Sequence, residues 1–468
     1  MNRIIPLVLA VALFMEQMDS TVISTALPAI AADIGTSPVA LKLALTAYLV
    51  SVAIFIPVSS WMADRFGPRR LFRWAIAVFV LGSVFCAAAG SLSAFVFARF
   101  LQGMGGAMMT PVARLVLVRT TPKRELVAAM TWLTVPGLVG PLVGPPVGGF
   151  ITTFLSWHWI FLINVPIGAA GVLFAGRLLP EIEPTGGGSI DVGGFFLSAI
   201  AASGVVFGLS VISLPALPPS VGFSTLALGI AAAFIYRTHA RRTAYPLIDL
   251  RLFSNRSFRT AILGAALFRI GSGAVPFLLP LMFQLGFGMT PFQSGLLTFA
   301  SAMGAIAMKF LARLTLRLGG FRNVLAASTL LGAALIAANA AFTPETPAGV
   351  IIAVLFAAGF LRSLFFTSAN ALVFADLEPG EVSQATAISA ALQQISVALG
   401  VAVAGGILEA TTILTGEPIG LGSFSWAFMI VGGLAAFAVI PFLRLPRDAG
   451  SAVSGHGGAK DNVPPAEG

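Results

Sequence analysis

The stretch Met15-Glu16-Gln17-Met18-Asp19-Ser20-Thr21-Val22 lies inside an apolar run from about residue 4 to residue 30. That run is long enough to cross a bilayer as a helix, which takes about 20 residues. Glu16 and Asp19 stand near its middle, where a charge costs roughly 2.5–3.5 kcal/mol on insertion scales. These two acids are therefore the first candidates for a functional site, and the fold must provide surroundings that tolerate them.

The composition is that of a membrane protein. Of the 468 residues, 57% are hydrophobic and 10% are charged, whereas soluble domains carry about 25% charged residues. The net charge of +9 does not indicate a nucleic acid partner, because the basic residues form short clusters between apolar runs, as the positive-inside rule predicts. Cys86 is the single cysteine, so no intrachain disulfide can form.

Fourteen apolar segments of spanning length follow one another along the chain. They lie at about 4–30, 41–62, 72–92, 94–118, 126–151, 158–178, 191–212, 219–237, 258–284, 291–313, 323–342, 348–374, 384–408 and 424–443. Segments of this length satisfy their backbone hydrogen bonds in lipid only as helices, so the predicted fold is an all-α polytopic membrane protein. Alternate loops carry nearly all the arginines, while Lys42 is the one basic residue of the other loops, which predicts that both termini are cytoplasmic.

Two longer connections divide the chain. One, at 177–191, contains three consecutive glycines and is typical of a flexible joint; the other, at 237–259, is the longest loop. We therefore expect an arrangement of six, two and six helices. Its parts are an N-terminal six-helix bundle at 1–180, two additional helices with a cytoplasmic loop at 181–256, a C-terminal six-helix bundle at 257–447 and a disordered cytoplasmic tail at 448–468.

An internal repeat indicates that the two six-helix bundles are related. The turn after the second segment contains Asp64-Arg65-Phe66-Gly67, and the turn after the tenth contains Leu316-Arg317-Leu318-Gly319. Aligning Gly67 with Gly319 pairs the two arginines and leaves the second copy without the acid. Parallel halves of a transporter are expected to repeat in this way.

Five motifs occur in order within the first 170 residues, and each has a defined place. They are Met18 to Pro28 in the first segment, Ser60 to Arg70 at the loop after the second, Arg99 to Gly106 in the fourth segment, Gly137 to Gly149 in the fifth and Ser156 to Pro166 at the start of the sixth. Together they resemble the major facilitator superfamily, and within it the fourteen-span drug/proton antiporter branch. Ser24 and Ser60 depart from the usual Asn and Gly, and the second half matches more loosely, through Gln284, Gln393 and the loop repeat.

The acids of the first segment are the predicted proton-coupling site. Glu16 and Asp19 stand at i and i+3 and are neighbours on one helical face. Two nearby carboxylates disfavour double ionisation, so the pair could bind a proton on one side of the membrane and release it on the other. The resemblance implies that Arg99 is the proton-coupling arginine. A static ion pair with a facing arginine is the alternative for these residues.

The fifth segment carries a predicted gate. Gly137, Gly140, Gly144 and Gly148 stand at i, i+3, i+7 and i+11, so they form one stripe that a neighbouring helix can approach closely. Prolines bend this helix, and a bent helix with a flat face suits a moving seal between the halves; ordinary tight packing is the alternative. The whole candidate set is Gly137, Gly140, Pro141, Gly144, Pro145, Gly148 and Gly149.

The cytoplasmic turn after the second segment resembles the conformational latch of the superfamily. Its candidate residues are Asp64, Arg65, Gly67 and Arg69. Charge and helix-dipole contacts would hold neighbouring helix ends in one state. A solvated orientation signal is the alternative.

Polar and basic residues inside the spans are candidates for the substrate cavity. They are Gln102, Arg114, Arg269, Lys309, Arg362 and Gln393. Arg114 and Lys309 stand near cytoplasmic helix ends, where the alternative is a side chain that reaches the interface. Arg269 and Arg362 are deeper, with no acid at comparable depth in the last six segments, which favours an anionic substrate as a second hypothesis.

We therefore expect a proton-coupled exporter of drugs or other amphipathic small molecules that works by alternating access. No Gly-x-x-x-x-Gly-Lys-Ser/Thr signature occurs, so an ion gradient must drive transport. The alternatives are an exporter of organic anions, such as carboxylates or their metal chelates, and, remotely, a non-transporting membrane receptor. The expected partners are a small-molecule substrate, protons and the lipid bilayer of the bacterial inner membrane. We expect a monomer. We expect no enzymatic activity, no cofactor, no metal and no nucleic acid binding.

Overall fold

A computed structural model describes residues 4–122, 125–184, 190–212, 214, 217–378 and 381–446. Helices are the only regular secondary structure within these ranges. The α-helices are α1 Ile4–Val22, α2 Leu27–Ile34, α3 Lys42–Phe66, α4 Pro68–Ala87, α5 Leu92–Thr120, α6 Leu126–Phe154, α7 His158–Leu162, α8 Asn164–Leu178, α9 Val192–Ile212, α10 Pro219–Arg242, α11 Arg256–Leu281, α12 Pro291–Lys309, α13 Ala312–Ala338, α14 Ala348–Val373, α15 Val382–Thr415, α16 Leu421–Ala436 and α17 Val439–Leu443.

Local sequence signals set several of the helix ends. Ser91 caps α5 by accepting a hydrogen bond from the Ala94 amide at 3.3 Å, and Asn255 caps α11 from the Phe258 amide at 3.1 Å. Thr290 and Gln293 form a capping box at the start of α12. Such caps satisfy amide groups that have no partner inside the helix, which matters most where little water is present.

Thirteen of the helical runs in the described ranges are long and apolar enough to cross a membrane. Some join two elements, since α7 and α8 together form the run His158–Leu178. The predicted segment at 291–313 corresponds to α12, which is not among the thirteen and which packs against α6 and α14 inside the bundle. The all-α polytopic fold is thus confirmed, while the count of fourteen crossings stays a prediction.

Successive crossings alternate in direction, which gives the molecule two sides. The basic side is the one where α3 ends at Arg65 and Phe66 and where α5 ends at Arg119 and Thr120. The opposite side is the one where α3 begins at Lys42.

The helices group along the chain. α1 to α8 make up the first half of the molecule and α11 to α17 the second, with contacts between them through the pairs α3 and α15, and α6 and α12. α9 and α10 pack against each other, and α9 also contacts α3 and α15. The proposed boundaries at 180 and 256 fit this grouping but stay a prediction, and the joint glycines at 186–188 and the tail at 448–468 lie outside the described residues.

The repeated turn shows one difference from the sequence alignment. Gly67 has a φ of +87° and the corresponding bend in the second half falls at Gly320, with a φ of +67°. Only glycine adopts this backbone region without strain. The structural match of Gly67 is therefore Gly320, so the alignment on Gly319 is wrong by one residue, and Arg317 takes the place of Asp64.

Candidate proton-coupling site

Asp19 lies at the centre of a buried hydrogen-bond network between α1, α5 and α8. Its Oδ2 accepts a hydrogen bond from Nη1 of Arg99 at 2.7 Å, and both side chains are almost completely buried. Its Oδ1 accepts from Nε2 of Gln102 at 2.8 Å and from Nδ2 of Asn164 at 2.9 Å. Three donors, one of them charged, hold this carboxylate, so its negative charge is balanced without water.

A second layer of contacts fixes the donors themselves. Ser83 Oγ accepts from Gln102 at 2.8 Å and from Asn164 at 3.2 Å, and Gln102 Oε1 accepts from Arg99 at 2.5 Å. The Arg99 guanidinium also lies 4.3 Å from the centre of the Tyr48 ring, a cation–π contact. Each donor is thereby positioned by another residue, and the network connects α1, α3, α4, α5 and α8.

Glu16 has different surroundings, although it is one turn from Asp19. Thr110 Oγ1 donates to Glu16 Oε2 at 2.9 Å, and among the described residues this is its one hydrogen bond. About 7% of the residue is exposed. The two acids on one helical face are thus unequal: Asp19 is bound by an arginine and two amides, and Glu16 by a single neutral hydroxyl.

Two glycines of α5 allow this arrangement. A Cβ on Gly103 would lie 2.6 Å from the Tyr48 carbonyl oxygen of α3, and one on Gly105 would lie 2.5 Å from the Phe79 amide of α4. Any larger residue would push α3 or α4 away from α5. These glycines therefore fix the distances over which Arg99 and Gln102 reach their partners.

The glycine stripe of α6 packs mainly on α1, in the same half. A Cβ on Gly140 would lie 2.9 Å from the Met18 amide, and one on Gly148 would lie 2.4 Å from the Val22 carbonyl oxygen. Gly149 instead faces the other half, since its Cβ would lie 2.4 Å from the Pro291 carbonyl oxygen of α12. The stripe thus holds α6 to the helix that carries Glu16 and Asp19.

The remaining members of the antiporter motif divide between two surroundings. Pro145 touches the second half, because a Cβ on Gly295 of α12 would lie 2.4 Å from its carbonyl oxygen. Pro141 lies within α6 and is partly buried, and Gly137 has no neighbour that a Cβ would meet within 4 Å. Contact between the halves therefore involves the Pro145 and Gly149 end of the motif.

The turn residues on the basic side have partners within the first half. Asp64 accepts a hydrogen bond from Nη2 of Arg119 at 2.8 Å, and both side chains are about one-third exposed. Arg69 donates to the Gly176 carbonyl of α8, whereas Arg65 is exposed. Asp64, at the end of α3, is therefore tied to the end of α5.

The predicted cavity residues fall into three groups. Gln102 is fully buried in the Asp19 network, and its carbonyl and amide groups are both occupied there. Three others are exposed: Arg114, Lys309 and Gln393. Arg269 and Arg362 belong to the interior of the second half.

Arg269 and Arg362 have no carboxylate within salt-bridge distance among the described residues. The Arg269 guanidinium lies 4.4 Å from the centre of the Phe366 ring, and Arg362 Nη2 donates to Ser301 Oγ at 3.4 Å. Arg362 also lines a small cavity together with Ser272, Asn339 and apolar side chains. An anion at this place would meet positive charge that no acid in the described part of the chain pairs with.

Sequence reasoning missed three members of the Asp19 network: Asn164, Ser83 and Tyr48. Asn164 is part of the motif that ends at Pro166, and a polar amide inside an apolar segment is the signal that could have marked it. Ser83 gives no such signal, since a serine hydroxyl in a membrane helix usually bonds to its own backbone, as Ser83 also does with the Phe79 carbonyl at 3.0 Å.

These features define a polytopic α-helical transporter with a buried charged network in its first half. The sequence matches the family model of the Major Facilitator Superfamily over residues 9–336 and again over 261–466. A relative from Cronobacter sakazakii, provisionally named multidrug resistance protein MdtD, is 36% identical over 447 residues and 94% of each chain. One of the same name from Yersinia enterocolitica is 35% identical over 450 residues and 95% of each chain. The chain belongs to the Major Facilitator Superfamily, as its motifs indicated.

Solved structures agree on the fold. A D-xylose–proton symporter superposes with a TM-score of 0.69 at 14% identity, over 96% of this chain and 98% of that one. A POT family transporter superposes with a TM-score of 0.68 at 17% identity, over 92% and 94% of the two chains. Likeness at this level of identity establishes a shared architecture, and the chain is a multi-pass membrane protein.

Proposed function

We propose that this protein exports drugs or other amphipathic small molecules in exchange for protons, by alternating access. The names of the relatives from Cronobacter and Yersinia support a drug substrate. The unequal surroundings of Glu16 and Asp19 support proton coupling. Asp19 is held by an arginine and two amides, whereas Glu16 has a single hydroxyl as its hydrogen-bond partner among the described residues, so a proton can reach or leave Glu16 with the loss of fewer contacts.

In this proposal the two acids have different roles. Glu16 carries the proton, and the hydrogen bond from Thr110 orients the Glu16 carboxyl group. Asp19 and Arg99 form the fixed charge pair beside it, which sets the local field. Alternating access then exposes Glu16 first to one side and then to the other, so that proton release and substrate movement are linked.

Proton movement in inside-out membrane vesicles tests the proposal. Vesicles acidified by respiration are monitored with acridine orange, and ethidium is added as the probe substrate. We expect ethidium to release protons from vesicles that contain the wild-type protein. The Glu16→Gln variant should bind ethidium but release none. Glu417→Gln is the matched control, because Glu417 is an exposed acid in the loop after α15.

Proton release that is unchanged by Glu16→Gln, at equal protein levels, would remove Glu16 from the proton pathway. Unchanged release in the double variant Glu16→Gln and Asp19→Asn would exclude both acids as the coupling site. Loss of release in Glu417→Gln would mean that the assay reports general damage.

Organic anions, such as carboxylates or their metal chelates, are the second candidate substrates. The observation that favours them is the pair Arg269 and Arg362, which lack a carboxylate partner among the described residues. Efflux of ethidium and of radiolabelled citrate from cells that contain Arg269→Ala separates the two candidates. Retained ethidium efflux with lost citrate efflux supports the anion, and the reverse result excludes it.

We further propose that the basic side is cytoplasmic and that the protein lies in the bacterial inner membrane. The basic loops support this orientation through the positive-inside rule. Under this orientation the opposite side faces outward, and the ends of α1, α3, α6 and α12 at that side form the outer gate. We also propose that the protein works as a monomer, with the six-helix bundles as its moving parts.

A further inference from the structure

Lys42 and Glu409 form a buried ion pair that joins the two halves of the molecule. Lys42 is the first residue of α3, and its side chain is fully buried. Glu409 lies near the end of α15, with 7% of its side chain exposed. A lysine at the end of a membrane helix usually extends to the interface, and burial costs each ion several kcal/mol. Neither residue belongs to the proton-coupling site described above.

The surroundings of the pair are shaped for this lysine. Gly405 stands one turn before Glu409, and a Cβ there would lie 2.4 Å from Cδ of Lys42. The lysine stem therefore runs directly over the backbone of α15, where only glycine leaves room. Oε2 of Glu409 accepts a hydrogen bond from the Lys42 ammonium, while Oε1 of Glu409 is buried without a hydrogen-bond partner. The carboxylate is thus held by one contact across the halves.

The pair lies where the halves meet. Within the described residues, three hydrogen bonds join the first half to the second, and one is the bond from Lys42 to Glu409. Another runs from Gln284 Nε2 to the Thr25 carbonyl oxygen at 3.0 Å, and the third from the Phe292 amide to Thr153 Oγ1 at 3.1 Å. All three lie at the opposite side, so the structure is closed there. Opening at this side must separate Lys42 from Glu409.

We propose that Lys42 and Glu409 are the gating pair of this side, intact when it is closed and separated each time it opens to release substrate. The proposal rests on alternating access. An ion pair suits such a gate because separation in water returns hydration to both ions, which offsets most of the attraction that is lost. An apolar contact of similar size would instead expose apolar surface to water when it opened.

Labelling of a single cysteine from outside the cell tests the gate without substrate or protons. The reporter is Ala402→Cys in a Cys86→Ser background, because Ala402 is 1% exposed and shares the face of α15 that carries Gly405 and Glu409. A membrane-impermeant maleimide added to intact cells reaches this position only when the outward side is open. We expect slow labelling in the otherwise unchanged protein.

Removal of one partner should open the gate. Lys42→Met and Glu409→Gln each break the ion pair between the halves, and each should raise the labelling rate about tenfold, which corresponds to about 1.4 kcal/mol in the closing equilibrium. Gly405→Ala keeps both charges but displaces the lysine stem, and it should have the same effect. Glu417→Gln changes an exposed acid at the same side and should leave the rate unchanged.

The double variant Lys42→Met and Glu409→Met separates a gate from a merely structural contact. With both charges replaced by apolar groups, the closed state should be favoured, so labelling should be slower than in the unmodified pair and ethidium turnover should fall. A double variant that labels as fast as either single variant overturns the proposal, as do single variants with unchanged labelling. If the single variants do not fold, the double variant alone decides. If Glu16→Gln leaves proton release unchanged while the Lys42 and Glu409 variants alter labelling, the coupling proposal fails and the gate proposal stands.

Discussion

Asn164 Nδ2 donates to Asp19 Oδ1 at 2.9 Å, a contact that joins the start of α8 to the last turn of α1. The same amide nitrogen lies 3.2 Å from Ser83 Oγ, so Asn164 bridges α1 and α4. Asn164 is thus a neutral donor to Oδ1, whereas Arg99 donates to the other carboxylate oxygen, Oδ2. This contact makes α8 part of the Asp19 network, although α8 carries no charged residue at that depth.

Replacement of Asn164 should weaken the fold through this network. Asn164→Ala removes one of the three donors to Asp19 and should lower the free energy of unfolding by about 1–3 kcal/mol, the usual effect of losing a buried hydrogen-bond partner. Thermal unfolding in detergent can be followed with a thiol-reactive dye, because Cys86 is the one cysteine and is buried. Asn370→Ala, at an exposed asparagine, is the control. Equal midpoints for both variants would contradict a structural role for Asn164.

Asp19 and Glu16 should differ in stability as well as in transport. Asp19→Asn leaves Arg99 buried without its acid, and breaking a buried pair in this way costs about 3–5 kcal/mol. Glu16→Gln removes only an acid held by Thr110 and should change the unfolding midpoint little. The same dye assay compares the two variants. A larger loss for Glu16→Gln than for Asp19→Asn would reverse the assigned roles.

The charged members of this site could be read from the sequence, but their partners could not. Glu16, Asp19 and Arg99 stand out because charge is rare inside apolar segments. Helical spacing shows which residues share a face of one helix, and it does not show which other helix that face meets. For this reason the sequence does not reveal Asn164 as a partner of Asp19, nor that Gln102, a predicted cavity residue, hydrogen-bonds to the same carboxylate.

The glycine stripe of α6 is a second example of the same limit. Its spacing predicted a close helix contact, and the structure has one. The neighbour is α1 of the same half for Gly140, Gly144 and Gly148, and only Gly149 faces α12. Which helix fills a groove depends on the packing of the whole bundle, since both α1 and α12 are apolar and of suitable length.

The glycines of α6 should therefore differ in their tolerance of alanine. A Cβ on Gly148 would meet the Val22 carbonyl oxygen at 2.4 Å, whereas one on Gly144 would meet the Thr21 hydroxyl. Backbone cannot move as easily as a hydroxyl, so Gly148→Ala should be more destabilising than Gly144→Ala, in the range of about 1–3 kcal/mol for overpacking. Gly137→Ala, with open space around it, is the control. We expect the unfolding midpoint to fall least in Gly137→Ala, more in Gly144→Ala and most in Gly148→Ala.

Rescue provides the sharper comparison for Gly144. The double variant Gly144→Ala and Thr21→Ala removes the hydroxyl that the new methyl group would meet. It should recover most of the stability lost in Gly144→Ala alone. If the double variant is no more stable than the single one, the contact between α6 and α1 is not the reason for the glycine.

The basic side offers a test of the latch. Asp64 pairs with Arg119 at 2.8 Å, whereas Arg65 is exposed. Arg119→Ala should therefore reduce ethidium efflux as much as Asp64→Ala, and Arg65→Ala should reduce it less. Because an exposed ion pair contributes only about 0–1 kcal/mol, stability should change little in all three variants. Efflux from whole cells at matched protein levels is the measurement, and a stronger defect for Arg65→Ala than for Arg119→Ala would assign the latch to another partner.

Asp191 supplies a prediction about pH, because it joins α9, α10 and the loop that follows α10. Burial disfavours its charge, but hydrogen bonds from the Gly194 amide at 2.8 Å, from His239 at 2.7 Å and from the Leu247 amide at 3.1 Å outweigh burial and lower the pKa of Asp191. A lowered folded-state pKa means that this stabilisation is complete above the unfolded value of 3.8 and is lost as the pH falls through the folded value. The difference in unfolding midpoint between wild type and Asp191→Asn should thus shrink as the pH falls below about 4. Glu183→Gln, at an exposed acid, should show no such difference, and a gap that widens towards acid pH would contradict the assigned direction of the shift.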